Sequence, residues 1–400
     1  MPVDLSRLAQ PATSRIVLVV VDGLAGYADA DHGTELEEAL TPNLDQLAAE
    51  GMVGLLDPVG PGITPGSGPG HLALFGYDPC EYELGRGALS AAGLEVEVRP
   101  GDVAARGNLC TLDGDGVVVD RRAGRIPDDQ AREVVARLRD GVAIEGVEVT
   151  FAHEAQHRVL VVFRGPGLDP SVSDTDPQKV GVPPRVARQL APGKAAHTAD
   201  VIAEFDAQVR RLLADEPLAN GLLLRGFDTH RELPSMQARH GLNPAAIAVY
   251  PMYRGIAHLV GMDVLAKAAD LDDQVNILRN HWDDYDYFFV HHKGADSAGE
   301  DGNFAAKVAA IEAVDRIMPA IAELKPDVLV VTGDHATPSQ MAAHSWHPVP
   351  ALVWGERVGR DDVDRFGERW ARYGGLGRRP TVELMPIVLA CAGRLAKYGA

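Results

Sequence analysis

Residues 16–29 read IVLVVVDGLAGYAD. Ile16 to Val21 form an unbroken aliphatic run, which suits a strand buried on both faces, and the run stops at Asp22, where a loop begins. A strand covered on both sides implies helices on both faces of a sheet, the mark of an α/β fold. Thr41-Pro42 then predicts a helix N-cap with proline at the first helical position, and Gly51 closes the helical segment NLDQLAAE. The same grammar returns late in the chain. DYFFVHH (286–292) predicts a strand, 303–324 a helix, DVLVVTGDH (327–335) and VPALVW (349–354) two further strands, and 382–395 a last helix. The two ends of the chain are therefore expected to form one parallel sheet.

The middle has different punctuation. VEVTF (147–151), RVLVVF (158–163) and GLLLRG (221–226) predict shorter strands, and DDQAREVVARLRD (128–140) and ADVIAEFDAQVRRLLAD (199–215) predict helices. Residues 96–255 are expected to form an inserted α/β domain, with 1–95 and 256–400 building the core. PGLDPSVSDTDPQKVGVPPR (166–185) is rich in Pro, Asp and Ser and predicts a long loop, a kind of segment that is often functional.

A chain of 400 residues with 46% hydrophobic content can bury a large core, and its size predicts two or three folding units. Thirty-eight Lys and Arg against 57 Asp and Glu leave a formal charge of −19, which argues against a sequence-independent grip on nucleic acid or on an anionic membrane. Any phosphate handled here must be held locally. Cys80, Cys110 and Cys391 lack metal-type spacing and fit a reducing compartment, and no segment is long and apolar enough to span a bilayer. The expected location is the cytoplasm.

In an open parallel sheet, ligands sit beyond the carboxyl ends of the strands. Those positions hold Asp22 after the first strand, His291, His292 and Asp296 after DYFFV, and Asp334 with His335 after DVLVVTG. One Asp at a strand end is ordinarily a cap or a turn former. Three strand ends that all carry carboxylates or imidazoles suit Zn²⁺ or Mn²⁺, and a carboxylate-rich half also tolerates Mg²⁺. The Gly-rich stretch GPGITPGSGPGHLALFGYDP (60–79) supplies a nucleophile candidate, Ser67, at the start of a helical run, where backbone N–H groups face an anion. Taken alone, that stretch reads as a flexible loop with Ser67 as a plain N-cap. It matches neither GxxxxGK[ST] nor GxSxG, because Pro65 and Pro69 occupy the outer positions of the latter. His153-Glu154-Ala155-Gln156-His157 matches HExxH of zinc proteases, which requires both histidines on one helical face. Its flanks predict strands joined by a short connection, so the protease reading is set aside, and His157 and Arg158 are kept as anion-facing candidates with Arg225 and Arg86.

TPGSGPGHLALFGYDP (64–79), HHKGADSAGEDGNFAAKVAAIEAVD (291–315) and VVTGDHATPSQMAAHSWHPVPALVW (330–354) together resemble the archaeal-type, 2,3-bisphosphoglycerate-independent phosphoglycerate mutases of the alkaline phosphatase superfamily. GDVAARGNLCT (101–111), EAQHRVLVV (154–162) and SDTDPQKVG (173–181) extend the resemblance through the middle. It implies an alkaline-phosphatase-like parallel-sheet core with an inserted smaller α/β domain that binds substrate and closes as a lid. It also implies two divalent metal ions, Mn²⁺ foremost, with Mg²⁺, Zn²⁺ or Co²⁺ as alternatives. One ion would be held by Asp22, Ser67, Asp334 and His335, the other by Asp296, His344 and the residue four after Asp296. That residue is typically histidine in the family and is Glu300 here. The implied reaction interconverts 3- and 2-phosphoglycerate through a phosphoserine at Ser67, without free bisphosphoglycerate. Lys293, Lys307, Arg158, Arg225, Asp174 and Asp176 are the candidates for contact with this small phosphorylated substrate, and for Lys307 a solvated helix face is the competing expectation. A metal-dependent phosphomonoesterase, a mutase for another small phosphorylated metabolite, and a non-catalytic metal- or anion-binding protein remain open alternatives at this point.

Overall fold

The computed structural model describes residues 4–30 and 32–399. Its thirteen strands are β1 Ile16–Val21, β2 Met52–Asp57, β3 Val103–Leu112, β4 Val118–Asp120, β5 Glu148–Ala155, β6 Arg158–Arg164, β7 Gly221–Asp228, β8 Pro244–Ile247, β9 Asp263–Val264, β10 Tyr287–His292, β11 Val328–Thr332, β12 Val349–Trp354 and β13 Gly377–Pro380. The chain divides into two compact units, Met1–Glu83 with Leu233–Ala400, and Leu84–Glu232. The helix Arg86–Gly93 accordingly packs in the smaller unit and β8 in the larger sheet.

The larger unit is built on an eight-stranded sheet in the order β13-β2-β12-β11-β1-β10-β8-β9. Every residue of β1 is buried, and the strand runs parallel to both neighbours, β10 and β11. Its alternate residues Val17, Val19 and Val21 share a core with the helices Pro42–Glu50, Leu271–Asn280 and Phe304–Ala322. On the opposite face Phe289 of β10 meets Phe75, just past the helix Ser67–Leu74, with ring centroids 5.0 Å apart. The sheet is mostly but not wholly parallel. β12 runs antiparallel to both β11 and β2. Residues 333–348, between β11 and β12, contain no helix, and a strand that returns without a crossover must run antiparallel. Burial on both faces gives VPALVW the same continuous apolar pattern in either direction, so its sequence could not reveal this.

Thr41 makes no capping hydrogen bond. The exposed amides at the start of Pro42–Glu50 are instead satisfied from a distant helix. Asp315 accepts from Asn43 N at 3.0 Å, Leu44 N at 2.8 Å and Asn43 Nδ2 at 2.8 Å. This carboxylate does the work of an N-cap and also complements the positive end of the helix.

The smaller unit holds an antiparallel sheet in which β3 pairs with β4, β6 and β7, and β6 with β5. The helices Asp128–Gly141 and Ala196–Leu212 cover one face, and the helix Arg86–Gly93 packs on the other over Ala104, Leu160 and Val162. The HExxH match falls across the hairpin of β5 and β6, with Gln156 in the turn at φ 48°, so its histidines do not share a helical face. Residues 166–185 contain no helix or strand, as the composition predicts.

Replacing Asp315 by Ala strands three donors at a helix start. The larger unit should lose roughly 2–4 kcal/mol in urea denaturation, while Thr41→Val should cost less than about 1 kcal/mol.

Candidate active site

The loops after β1, β10 and β11 leave the sheet side by side, because these three strands are neighbours in parallel register. They bring Asp22, Asp296, Asp334 and His335 together, all at 0% exposure. Two sets of three potential ligands result, Asp22–Asp334–His335 and Asp296–His335–His344, each with its ligand atoms within 4.8 Å of one another. His335 Nε2 lies 3.1 Å from Asp334 Oδ2, 3.4 Å from Asp22 Oδ1 and 3.1 Å from Ser67 Oγ. The His335 and His344 rings stack with centroids 3.7 Å apart. His344 Nδ1 donates to Pro65 O at 3.0 Å, which leaves its Nε2 facing Asp296 Oδ1 at 3.5 Å and Glu300 Oε1 at 3.8 Å. Glu300 is half-exposed and stands at the solvent side of His344.

Ser67 is the first residue of its helix, with Gly66 as the N-cap. Gly70 presses this helix against the loop after β11: a Cβ there would meet Asp334 O at 2.3 Å. Any side chain at 70 would push Ser67 away from His335. One helical turn after Ser67, His71 donates from Nδ1 to Ser67 O at 2.8 Å, and the same nitrogen is 3.3 Å from Asp334 Oδ2.

Burial opposes charge on Asp22 and Asp334, yet neighbours outweigh it. Lys293 and His291 beside Asp22 hold its carboxyl well below the usual range, and His335 and His71 hold Asp334 down against burial and the like charge of Asp22. Lys293 Nζ is 3.1 Å from Asp22 Oδ2, pairs with Asp296 and donates to Tyr253 Oη at 2.9 Å. Burial disfavours its charge, but the two carboxylates keep the ammonium well above its ordinary value. Even so, Asp22 Oδ1 and Asp334 Oδ2 are buried without a well-directed hydrogen bond among the described residues. Orphaned oxygens beside an imidazole nitrogen are what a divalent cation binds, so the donor set fits one.

Lys307 does not lie on a solvated face. It is fully buried, donates to Ala25 O and Thr337 O at 2.9 Å each, and sits 3.5 Å from Glu35 Oε2. Its ammonium ties loops together and has no route to a substrate.

In the smaller unit, Arg106, Asn108, Arg158 and Arg225 share one sheet face by register, and Arg86 stands beside them. Arg106 is 5% exposed, and its Nε and Arg225 Nε find no partner among the described residues. Burial, then the like charges of Arg86 and Arg106, push Arg225 down to about 9; burial and Arg106 push Arg86 to about 10. Both stay charged at neutral pH, so this face presents crowded, under-neutralised cations suited to an oxyanion. Asp176 is fully buried, accepts from Arg121 at 3.0 and 2.6 Å and lies 4.0 Å from Arg225 Nη1; Asp174 accepts from Gly226 N at 2.8 Å. These two carboxylates brace the cationic face.

Sequence reasoning missed His71, Thr337, Arg106 and Tyr253. The first was accessible, since position i+4 from Ser67 lies on the same helical face. Thr337 follows His335 by two residues and Arg106 lies within GDVAARGNLCT, but nothing local marks Tyr253, which reaches the site from the separate helix Pro251–Leu259.

His240 steadies the far end of the Ser67 helix, Nε2 donating to Phe75 O at 2.9 Å, and burial lowers its pKa to about 4. Between pH 4 and the ordinary value near 6.5, the unfolded chain binds this proton and the folded one does not, so stability is lost as pH falls through that window. In His240→Gln the slope of stability against pH should flatten there by up to about 1.4 kcal/mol per pH unit, measured by denaturation at a series of pH values.

Comparison with known proteins places this geometry in context. The sequence model of the 2,3-bisphosphoglycerate-independent phosphoglycerate mutase family matches residues 48–219. A probable 2,3-bisphosphoglycerate-independent phosphoglycerate mutase of Thermus thermophilus is 51% identical over 99% of this chain and 98% of its own length. Among solved structures, a protein from Pyrococcus horikoshii aligns at 28% identity with a TM-score of 0.83, over 97% of this chain and 99% of that one. The cofactor-independent phosphoglycerate mutase from Thermoplasma acidophilum aligns at 29% identity with a TM-score of 0.66, over 95% and 100%.

Proposed function

The chain belongs to the 2,3-bisphosphoglycerate-independent phosphoglycerate mutases, and from that premise we propose that it interconverts 3- and 2-phosphoglycerate by way of a phosphoserine at Ser67. The observation that carries this reading is the placement of Ser67 Oγ, at a helix N-terminus and 3.1 Å from His335 Nε2, beside two buried carboxylates with unsatisfied oxygens.

Asp22, Ser67, Asp334 and His335 would hold one divalent cation, and Asp296, His344 and Glu300 the other. Bound there, the two cations supply the positive charge that makes a serine oxygen nucleophilic and offsets charge on the phosphoryl group. The mixed oxygen and nitrogen donors favour Mn²⁺, with Mg²⁺, Zn²⁺ or Co²⁺ as alternatives. Ser67 Oγ forms a bond to phosphorus as the bond from phosphorus to the C3 oxygen breaks, and the serine proton ends on that oxygen. The glycerate turns, its 2-hydroxyl oxygen takes the phosphoryl group back as the bond from phosphorus to Ser67 Oγ breaks, and the 2-hydroxyl proton passes to Ser67. Because the serine stores the group, no diffusible bisphosphate is needed. Gly68, in the first turn of the helix, would offer its backbone N–H to the transferring oxyanions. Arg158 and Arg225, with Arg86 and Arg106, bind the carboxylate and phosphate oxygens, and Asp174 and Asp176 fix the arginines in place. Lys293 neutralises the carboxylates around Ser67. The free thiols Cys80, Cys110 and Cys391 suit a cytoplasmic setting for this step of glycolysis and gluconeogenesis, and no described helix is long and apolar enough to cross a membrane.

The test is an enolase-coupled assay on Mn²⁺-loaded protein with 3-phosphoglycerate and no added bisphosphoglycerate, with phosphorus NMR of the products. Turnover is expected, lost on chelation and reduced at least about 10⁴-fold in Ser67→Ala. Stoichiometric release of inorganic phosphate in place of 2-phosphoglycerate would sink the mutase assignment. Arg225→Ala should raise KM by roughly 10–100-fold, the worth of a charge-assisted contact.

A further inference from the structure

We infer that Thr337 is a positioning residue which, through one hydroxyl proton, fixes the tautomer of His335 and so keeps both cation sites able to bind. This rests on the cation reading of the two ligand sets and adds a residue that belongs to neither.

A threonine hydroxyl has one proton to give. Thr337 Oγ1 donates to Asp296 Oδ1 at 2.7 Å, an acid whose other oxygen pairs with Lys293, so the proton points there. The same oxygen lies 2.9 Å from His335 Nδ1 and must therefore accept from it. His335 is thus protonated on Nδ1 and bare on Nε2. That bare nitrogen faces Asp334 Oδ2 at 3.1 Å and Asp22 Oδ1 at 3.4 Å, neither of which accepts a well-directed hydrogen bond. The Ser67 hydroxyl, 3.1 Å away, then donates to this nitrogen, and no proton lies between the nitrogen and the two carboxylate oxygens. In the opposite tautomer an Nε2–H would hydrogen-bond Asp334 and occupy the place of the cation.

Thr337 has no freedom to do otherwise. It is fully buried, its N donates to Ala25 O at 3.0 Å, and Lys307 Nζ donates to its O at 2.9 Å. Glycines wall it in: a Cβ on Gly23 would come within 2.7 Å of Thr337 Oγ1, and one on Gly299 within 2.3 Å of Thr337 O. Through this hydroxyl the Asp22–Asp334–His335 set and the Asp296–His335–His344 set share one hydrogen-bonded chain. The buried Lys307–Glu35 pair gains a purpose here, since it clamps the carbonyl of the residue that sets the chain's direction.

Thr337→Val keeps the shape and removes donor and acceptor; Thr337→Ser restores both. Metal-free wild type, T337V and T337S would be titrated with Mn²⁺ by electron paramagnetic resonance. The imidazole tautomers of the metal-free proteins would be read by long-range ¹H–¹⁵N NMR, with folding checked by circular dichroism. Wild type and T337S should show Nδ1–H at His335 and take up two ions; T337V should lose roughly 10–100-fold in Mn²⁺ affinity, the usual effect of removing a hydrogen-bond partner of a metal-ligating histidine, and move its proton to Nε2. Wild-type affinity in T337V, Nε2–H at His335 in the wild type, or a T337S no better than T337V each overturns the role of Thr337. Should T337V not fold, the wild-type tautomer and the affinity of T337S decide. A wild type that binds no Mn²⁺ overturns the cation reading itself, and with it this inference.

Discussion

Three carboxylates, Asp22, Asp296 and Asp334, sit at 0% exposure at the ends of adjacent strands. Like charges at this depth repel one another and have lost their hydration, so the arrangement stands only with positive charge among them. Much of the larger unit answers this demand. Lys293 reaches Asp22 and Asp296, His291 donates to Asp22 at 3.2 Å, and His71 leans on Asp334. The parallel register of β1, β10 and β11 creates the convergence, because each strand releases its loop at the same edge of the sheet. A protein that needed only stability would fare as well with apolar residues at these positions. Their retention is a sign of chemistry, and the membership of the chain in a phosphoglycerate mutase family agrees.

The two ligand sets are not alike. Asp22, Asp334 and His335 are wholly enclosed, whereas the second set includes His344, 22% exposed at its side chain, and has Glu300 on its open side. An ion in the enclosed set would meet little water and be held chiefly by protein, close to Ser67. One in the open set would keep room for solvent or for substrate oxygens. That difference suits a division of labour in which the enclosed ion sharpens the nucleophile and the open one meets the phosphoryl group. A carboxylate at 300, where the family resembled by the sequence typically has histidine, would shift the open set toward harder, oxygen-preferring cations were it to ligate there.

The aliphatic run at 16–21, the late strands and the acidic or imidazole residues after them were legible because burial on both faces leaves a continuous apolar signature and because function in such sheets gathers at strand ends. The direction of β12 was not, since a doubly buried strand reads the same parallel or antiparallel. Thr41 looked like a cap because local pattern cannot show that Asp315, more than 270 residues away in sequence, already occupies the amides. Lys307 misled for a related reason: its position beside the Asp296 motif suggested either substrate or solvent, and only the packing of Ala25, Glu35 and Thr337 around it shows where the ammonium is spent. Pairwise chemistry between distant segments is where sequence reasoning ran out.

The smaller unit poses the opposite electrostatic problem on a chain that is strongly acidic overall. Arg86, Arg106, Arg158 and Arg225 gather on and beside one sheet face, close enough that repulsion and burial depress Arg225 and Arg86, while the buried carboxylate of Asp176 is already taken by Arg121. Each unit alone is thus left with a charge imbalance: buried anions in one, crowded cations in the other. Divalent cations would answer the first, and an organic phosphate with a carboxylate would suit the second. A phosphoglycerate has both anionic groups on a three-carbon frame, the kind of ligand that several crowded arginines would suit. A substrate lacking the carboxylate would leave part of the cationic face unneutralised, at a cost borne only by the wrong ligand. On the proposed reading, Arg106 Nε and Arg225 Nε, which find no partner among the described residues, would serve discrimination as much as affinity.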